Sequence, residues 1–294
     1  MGVCRLSYLV ALSLDEALGV LKNSRGKARV IGGATDIFLQ DLPDTLVDLT
    51  ALPETRGINE HEGIITLGSA VTHTEAASSP VILARATALA EASALVGSPQ
   101  IRNAGTLGGN IVNAAPAADA AVALVALGAR AVLADSNVRF REEAVEALYA
   151  GYNRSLIDSS SEIMVKLIIA SCEAGEGSAF IRFSSRRALS LPLVNAAARV
   201  KVKDGLLQEI KLVAAPVSPA PTRLYQVEEM LKGMPAVEET WRKVEVAAVS
   251  EVEVRSSLLR CSARYRSHLV GVLVAGALKK AAERAQADTG GGGQ

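Results

Sequence analysis

The chain has 294 residues, with 31 Lys and Arg balanced by 31 Asp and Glu, so its formal net charge is zero. That balance leaves no basic footprint for nucleic acid, and 3% aromatic content argues against base-stacking platforms. A hydrophobic content of 49% excludes bulk disorder, implies a large core of Ala, Val, Leu and Ile, and at this length points to two domains, or three small ones.

In chain order, Ser13 and Glu16 have capping-box spacing ahead of Ala17, Leu18, Val20 and Leu21, which predicts a helix. Short strands are predicted at residues 28–31, 46–49 and 64–67, and helices at 74–78 and 80–95. This alternation indicates α/β or α+β architecture. A polar stretch from Val96 to Pro116 reads as a loop of about 20 residues; loops of that length are usually functional or disordered, and the apolar helices on either side favour function. Strand signals return at 131–134, 162–169, 178–183 and 193–202. Asp204-Gly205 predicts a hairpin into residues 206–213. Beyond three prolines the pattern is helical at 224–231, 237–252 and 265–284. A boundary is expected near 173–178, and residues 288–294, with four consecutive glycines, are expected to be disordered.

No secretory signal or membrane span is expected. The longest apolar run, Leu269 to Leu278, would extend roughly 15 Å as a helix, half a bilayer core. Cys4, Cys172 and Cys261 are scattered and form no CxxC, as expected of reduced thiols in the cytoplasm. His61, His73 and His268 lack metal-site spacing and read as surface or cap residues. No nucleophile–base arrangement is visible, so no catalytic side chain is assigned.

Two segments carry the chemistry. Ile31-Gly32-Gly33-Ala34-Thr35-Asp36 follows a strand, and its glycines permit a tight turn with backbone N–H groups close to a ligand. An ordinary strand–helix turn explains the motif equally well. Thr106-Leu107-Gly108-Gly109-Asn110 is a second such loop some 70 residues downstream. Neither fits the spacing of a Rossmann fingerprint or a P-loop. Two separate Gly-Gly loops could instead clamp a pyrophosphate from two sides, which suits a dinucleotide.

The longer string from Ile101 through Asn103 to Asn110, continued by Ala115-Pro116-Ala117-Ala118-Asp119, closely resembles the FAD-binding subunit of molybdenum hydroxylases, the family of xanthine and carbon monoxide dehydrogenases. Ser184-Ser185-Arg186-Arg187-Ala188 resembles the Arg-rich stretch opening that family's C-terminal domain. Ser262-Ala263-Arg264-Tyr265-Arg266 resembles the segment before its last helix.

The resemblance implies an α+β chain with a PCMH-like FAD-binding domain at 1–174, made of α/β subdomains at about 1–55 and 56–174. A C-terminal domain at 175–287 would carry a small antiparallel sheet and helices. It implies that residues 31–36 and 106–110, with Ile101, Asn103 and Ala115, hold FAD. Asp119 would bond the cofactor or serve as a first-turn acid. Met164 would pack near the isoalloxazine or simply be a buried strand residue. Arg182 stands where relatives carry Lys near the flavin, with a surface strand charge as the alternative. Molybdopterin and 2Fe-2S clusters are implied in partner subunits only: a large molybdenum chain and a small iron–sulfur chain, assembled as a dimer of heterotrimers. This chain would take electrons from the clusters and pass them to NAD, a quinone or another acceptor. The sequence departs from the family at Leu189-Ser190-Leu191, where an acid is common, and at Ile168-Ile169-Ala170, which lacks the usual Pro. A stand-alone FAD oxidoreductase and a scaffold that has lost flavin remain as alternatives.

Overall fold

The computed structural model describes residues 6–37, 41–186, 189–254, 256 and 261–289. Cys4, Arg187 and Ala188 lie outside the described residues, as do 38–40 and 290–294.

The N-terminal layer is a three-stranded parallel sheet of β1 (Ser7–Val10), β2 (Ala28–Ile31) and β3 (Thr45–Asp48), in the order β1-β3-β2. Helix α1 (Leu14–Ser24) connects β1 to β2. Ser13 accepts a bond from the Glu16 N–H at 3.2 Å, while the Glu16 carboxylate accepts from Leu12 N–H at 2.8 Å, one residue before the cap. Leu14, Ala17, Leu18 and Leu21 form its buried face.

A second sheet contains β4 (Ile58–His61), β5 (Ile64–Gly68), β6 (Arg130–Asp135), β7 (Phe140–Ala144) and β10 (Glu162–Ala170). Its order is β4-β5-β10-β6-β7, antiparallel throughout. A small hairpin, β8 (Tyr149–Gly151) and β9 (Arg154–Ser155), precedes β10. Between β5 and β6 run six short helices: α2 (His73–Ser78), α3 (Pro80–Arg85), α4 (Thr87–Ala94), α5 (Pro99–Ala104), α6 (Leu107–Val112) and α7 (Asp119–Ala126). The helix expected over 80–95 breaks at Ala86, which ends α3 and begins α4. The loop expected over 96–116 instead holds α5 and α6. Ser98 and Thr106 start them, each accepting a backbone N–H three residues on.

Every residue of α7 is buried, because it lies between the second sheet and a third. Its Ala-rich sequence permits this close approach from both sides. Leu124 is fully buried there, and truncating it to Ala would cost about 2–5 kcal/mol.

The third sheet is antiparallel: β11 (Glu176–Phe183), β12 (Val194–Lys203), β13 (Leu206–Ala215) and β14 (Thr222–Arg223). Asp204 and Gly205 have φ of 52° and 75°, the two positive values a two-residue type I′ hairpin requires. Helices α8 (Tyr225–Leu231), α9 (Glu238–Glu251) and α10 (Ala263–Thr289) follow. Helix α10 crosses β11 so closely that a Cβ at Gly177 would sit 2.1 Å from the Ala281 carbonyl oxygen. It continues past Arg284 to Thr289, so the start of the expected tail is helical. The apolar run 269–278 packs inside this helix, and among the described residues no helix is long and apolar enough to cross a membrane.

Glu91 on α4 ties the helical layer to this last unit. Its carboxylate accepts from Phe180 N–H at 2.9 Å, Lys280 Nζ at 2.6 Å and Arg284 Nη2 at 2.6 Å. Burial works to raise its pKa, but these donors together hold the carboxyl below its usual range.

Candidate functional site

The two Gly-Gly loops meet. The first leaves the C-terminal end of β2, the end of a parallel sheet where ligands usually bind. The second joins α5 to α6 and is pinned from below: Leu107 N–H donates to Val71 O at 2.9 Å, and Gly108 N–H to Ser69 O at 2.8 Å. Ser69 N–H in turn donates to Val165 O on β10 at 3.0 Å. The fit between the loops leaves no room for side chains. A Cβ on Gly33 would fall 1.6 Å from Ala104 O, and one on Gly32 would fall 2.4 Å from Thr106 Oγ1.

A cavity of about 320 Å³ opens along this junction. That volume lies at the lower end of the range for small-molecule sites. From the first loop it takes Ile31, Gly32, Gly33, Ala34, Thr35 and Asp36; from the second, Ile101, Thr106, Gly108, Gly109 and Asn110. Met164 completes one wall. It is buried on β10 where the register with β6 shifts, a buried strand residue that also lines the cavity.

The donors are unevenly divided. Among the described residues nothing accepts from the backbone N–H groups of Gly32, Gly33, Ala34 or Thr35. At the second loop the helix N–H groups are already used: Leu107 and Gly108 as above, and Gly109 by the Thr106 hydroxyl at 3.1 Å. The first loop therefore supplies free donors, and the second supplies closeness. After the first loop Asp36 lies in a turn and Ile37 is 3-10 helical; the helical first turn that the sequence predicts over 36–40 otherwise falls on 38–40, outside the described residues. Ala34 has φ of 54°, a left-handed conformation that costs a non-glycine residue roughly 1–2 kcal/mol. Such strain is concentrated at ligand sites, and Ala34 lines the cavity.

Four expected residues lie elsewhere. Asn103 is exposed, and its Oδ1 accepts from the Thr74 hydroxyl at 2.6 Å. Leu107 is core, beneath the loop it belongs to. Ala115 is half-buried in the turn between α6 and α7. Asp119 is the first residue of α7, fully in keeping with a first-turn acid. A fifth, Arg182 on β11, is buried rather than a surface charge. It donates to Asp119 Oδ2 at 2.5 Å and to the carbonyls of Leu95 and Ser190, both at 2.8 Å. Asn195 Nδ2 donates to Asp119 Oδ1 at 2.6 Å. Burial pushes the Asp119 carboxyl up to about 6, against the charge of Arg182 and the bond from Asn195. Neither Asp119 nor Arg182 lines the cavity.

The cavity also uses residues with no sequence signal of their own. Arg29, Ser155 and Ser159 form one side, and Val96 another. His73 is buried in the floor and is neither a surface nor a capping side chain. Burial, with the positive Arg102 nearby, pushes its imidazole down to about 4. The His73 Nδ1 and Asn110 Oδ1 atoms are buried without a hydrogen-bond partner among the described residues. A strand position, a free amide array, two crossing glycine loops and unsatisfied polar atoms together suit an anionic ligand with further hydrogen-bonding groups.

Comparison with known proteins agrees in extent and order. The family model for the FAD-binding domain in molybdopterin dehydrogenases matches residues 4–171, and that for the carbon monoxide dehydrogenase flavoprotein C-terminal domain matches 179–281. The FAD subunit of nicotinate dehydrogenase from Eubacterium barkeri is 32% identical over 79% of this chain and 81% of its own length. A putative xanthine dehydrogenase FAD-binding subunit from Escherichia coli is 27% identical over 97% of each chain. In solved structures, a chain of carbon monoxide dehydrogenase from Hydrogenophaga pseudoflava superposes with a TM-score of 0.88 at 27% identity, covering 97% of this chain and 99% of that one.

Proposed function

The chain belongs to the family of FAD-binding subunits of molybdenum hydroxylases, and from that premise we propose that it is the electron-transfer subunit that relays electrons from a partner's iron–sulfur clusters to an external acceptor. The observation that carries this reading is the cavity where the loops at 31–36 and 106–110 cross. Bound FAD supplies a two-electron store that can be filled and emptied stepwise.

The chain's own residues then have separable tasks. The N–H groups of Gly32 to Thr35, which have no acceptor among the described residues, would take the diphosphate oxygens, in a cleft where Gly32 and Gly33 carry no Cβ to hold them off. Asp36 adds an exposed carboxylate that accepts from the Thr35 hydroxyl at 3.2 Å and suits a hydroxyl donor better than a phosphate. Gly109 leaves the cavity open on the helix side, and Met164 would offer an apolar, adaptable wall to the flavin ring. Asp119 and Arg182 act by fixing α7, β11 and the turn at Leu95 around the site. Ile101 closes one edge of the cavity, while Asn103, Leu107 and Ala115 shape the second loop from outside it.

The remaining parts of the reading concern the assembly. We assign a large molybdopterin chain and a small 2Fe-2S chain as partners, in a dimer of heterotrimers working in the cytoplasm. The similar carbon monoxide dehydrogenase of Hydrogenophaga pseudoflava is a molybdenum-cofactor enzyme, and the relative of this chain in that organism is its medium chain, which supports partner chains that carry the molybdenum. The two domains would divide near residue 174, between the spans of the two family models.

Affinity purification of the tagged full chain from its own host tests this assignment. Large and small partner chains should co-purify, and substrate-dependent reduction of an acceptor should appear only when both are present. Substrate oxidation by this chain alone, at an ordinary enzymatic rate, would replace the subunit reading with a stand-alone oxidoreductase.

A further inference from the structure

His73 is the one histidine of the three with a fully buried ring, only 2% exposed. It opens α2 directly after the Thr72 cap, and its backbone N–H donates to Gly105 O at 3.0 Å. This holds the ring against the start of the second loop. A Cβ built on Gly105 would lie 3.4 Å from His73 Cδ2 and 3.5 Å from Thr35 Oγ1. The imidazole edge and the Thr35 hydroxyl thus converge on the point where the two loops meet, and both residues line the cavity.

Neither ring nitrogen of His73 bonds to another described residue, and Nδ1 is sealed from solvent as well. A buried nitrogen without a partner destabilises a fold, whereas an apolar ring of the same size would fill the space at no such cost. Packing alone therefore gives no reason for a histidine here. A ligand does, because the neutral ring offers one donor and one acceptor. Burial, with the positive Arg102 nearby, opposes protonation and keeps the ring in that neutral form. A second buried atom without a partner, Asn110 Oδ1, belongs to the same cavity.

We propose that the His73 imidazole is a direct hydrogen-bonding ligand of FAD, contacting the part of the cofactor that passes between the two glycine loops. This rests on the reading that the cavity takes FAD. The same loss of a partner that makes His73 unfavourable in the empty fold makes it useful in the loaded one. Binding and stability of the apoprotein should therefore respond in opposite directions when the ring nitrogens are removed.

The test uses the full chain stripped of flavin, titrated with FAD by fluorescence quenching, as wild type and as His73→Phe. The variant should bind FAD on the order of tenfold more weakly, the size of one lost hydrogen bond. Its apoprotein should melt no lower than wild type. In the wild type, ring 15N resonances of His73 should move when FAD is added. A wild type that binds no FAD would remove the underlying reading. Wild-type binding with unchanged affinity in His73→Phe would overturn this inference alone. So would a lowered apoprotein melting temperature in the variant, or unmoved 15N resonances, since either assigns the ring to packing.

Discussion

Gly109→Val separates the ligand site from the fold. Gly109 is exposed at the third position of α6, and a Cβ there meets only Thr106 Oγ1, at 2.9 Å, with nothing else within 4 Å. That atom is the tip of a side chain and can give way. Losing part of the Thr106 cap costs up to about 1 kcal/mol, and replacing a helical glycine returns a few tenths to about 1 kcal/mol. Apoprotein stability should therefore stay within about 1 kcal/mol of wild type. The two added methyl groups point instead into a cavity of only about 320 Å³. A displaced diphosphate would lose several charge-assisted bonds, so FAD affinity should fall at least a hundredfold, about 3 kcal/mol. Fluorescence titration of the apoprotein reads the affinity, and urea denaturation reads the stability. Wild-type flavin content in a folded Gly109→Val protein would refute the placement of the cofactor along α6.

Gly33→Ala should behave differently. Its Cβ would meet the Ala104 backbone at 1.6 Å, so both the loop contact and apoprotein stability should be lost along with FAD; a stable variant would show that the loops do not touch. Arg182→Ala removes the counter-charge of the buried Asp119 carboxyl, which stands at about 6 even beside it and should then take up a proton at pH 7; losing the Arg182 bonds to Asp119 and to two carbonyls should cost about 1–3 kcal/mol in urea denaturation. An unchanged midpoint would contradict the burial of that pair. His73 sets a pH dependence. Its folded value of about 4 lies below the ordinary 6.5, so the unfolded chain binds the extra proton first. Its contribution is complete above pH 6.5 and is lost as pH falls towards 4. At 1.36 kcal/mol per pH unit the loss is about 3 kcal/mol. His73→Phe should flatten that slope, and an identical slope would show that the ring is not buried and neutral.

What the sequence made legible was local chemistry. Asp204-Gly205 predicts its hairpin because few other residues tolerate two positive φ values, and the structure has both. Strands with apolar alternation, such as 162–169, were equally readable. The edge strand Phe140–Ala144 was not, because its Arg-Glu-Glu centre faces solvent and carries no hydrophobic period. Helices α5 and α6 hid inside a polar run because each is only six residues long, and their caps, Ser98 and Thr106, look like loop residues. The site was half legible. Gly-Gly pairs mark where a backbone must come close, but not what it comes close to. That Gly33 abuts Ala104, and that Thr106 bridges back to Thr72, depends on pairing between distant segments. The burial of His73 was invisible for the same reason, since its sequence neighbours Thr72 and Thr74 are polar and its partner surface is the loop at Gly105.

The central claim is tested most directly by the identity and amount of flavin the chain holds. The full-length apoprotein should be reconstituted with a mixture of FAD and FMN, freed of excess ligand, and its released cofactor weighed by mass spectrometry against protein concentration. One FAD per chain, with FMN excluded, is the result expected of two loops closing on a diphosphate. FMN alone, or no flavin on a folded chain, would contradict it.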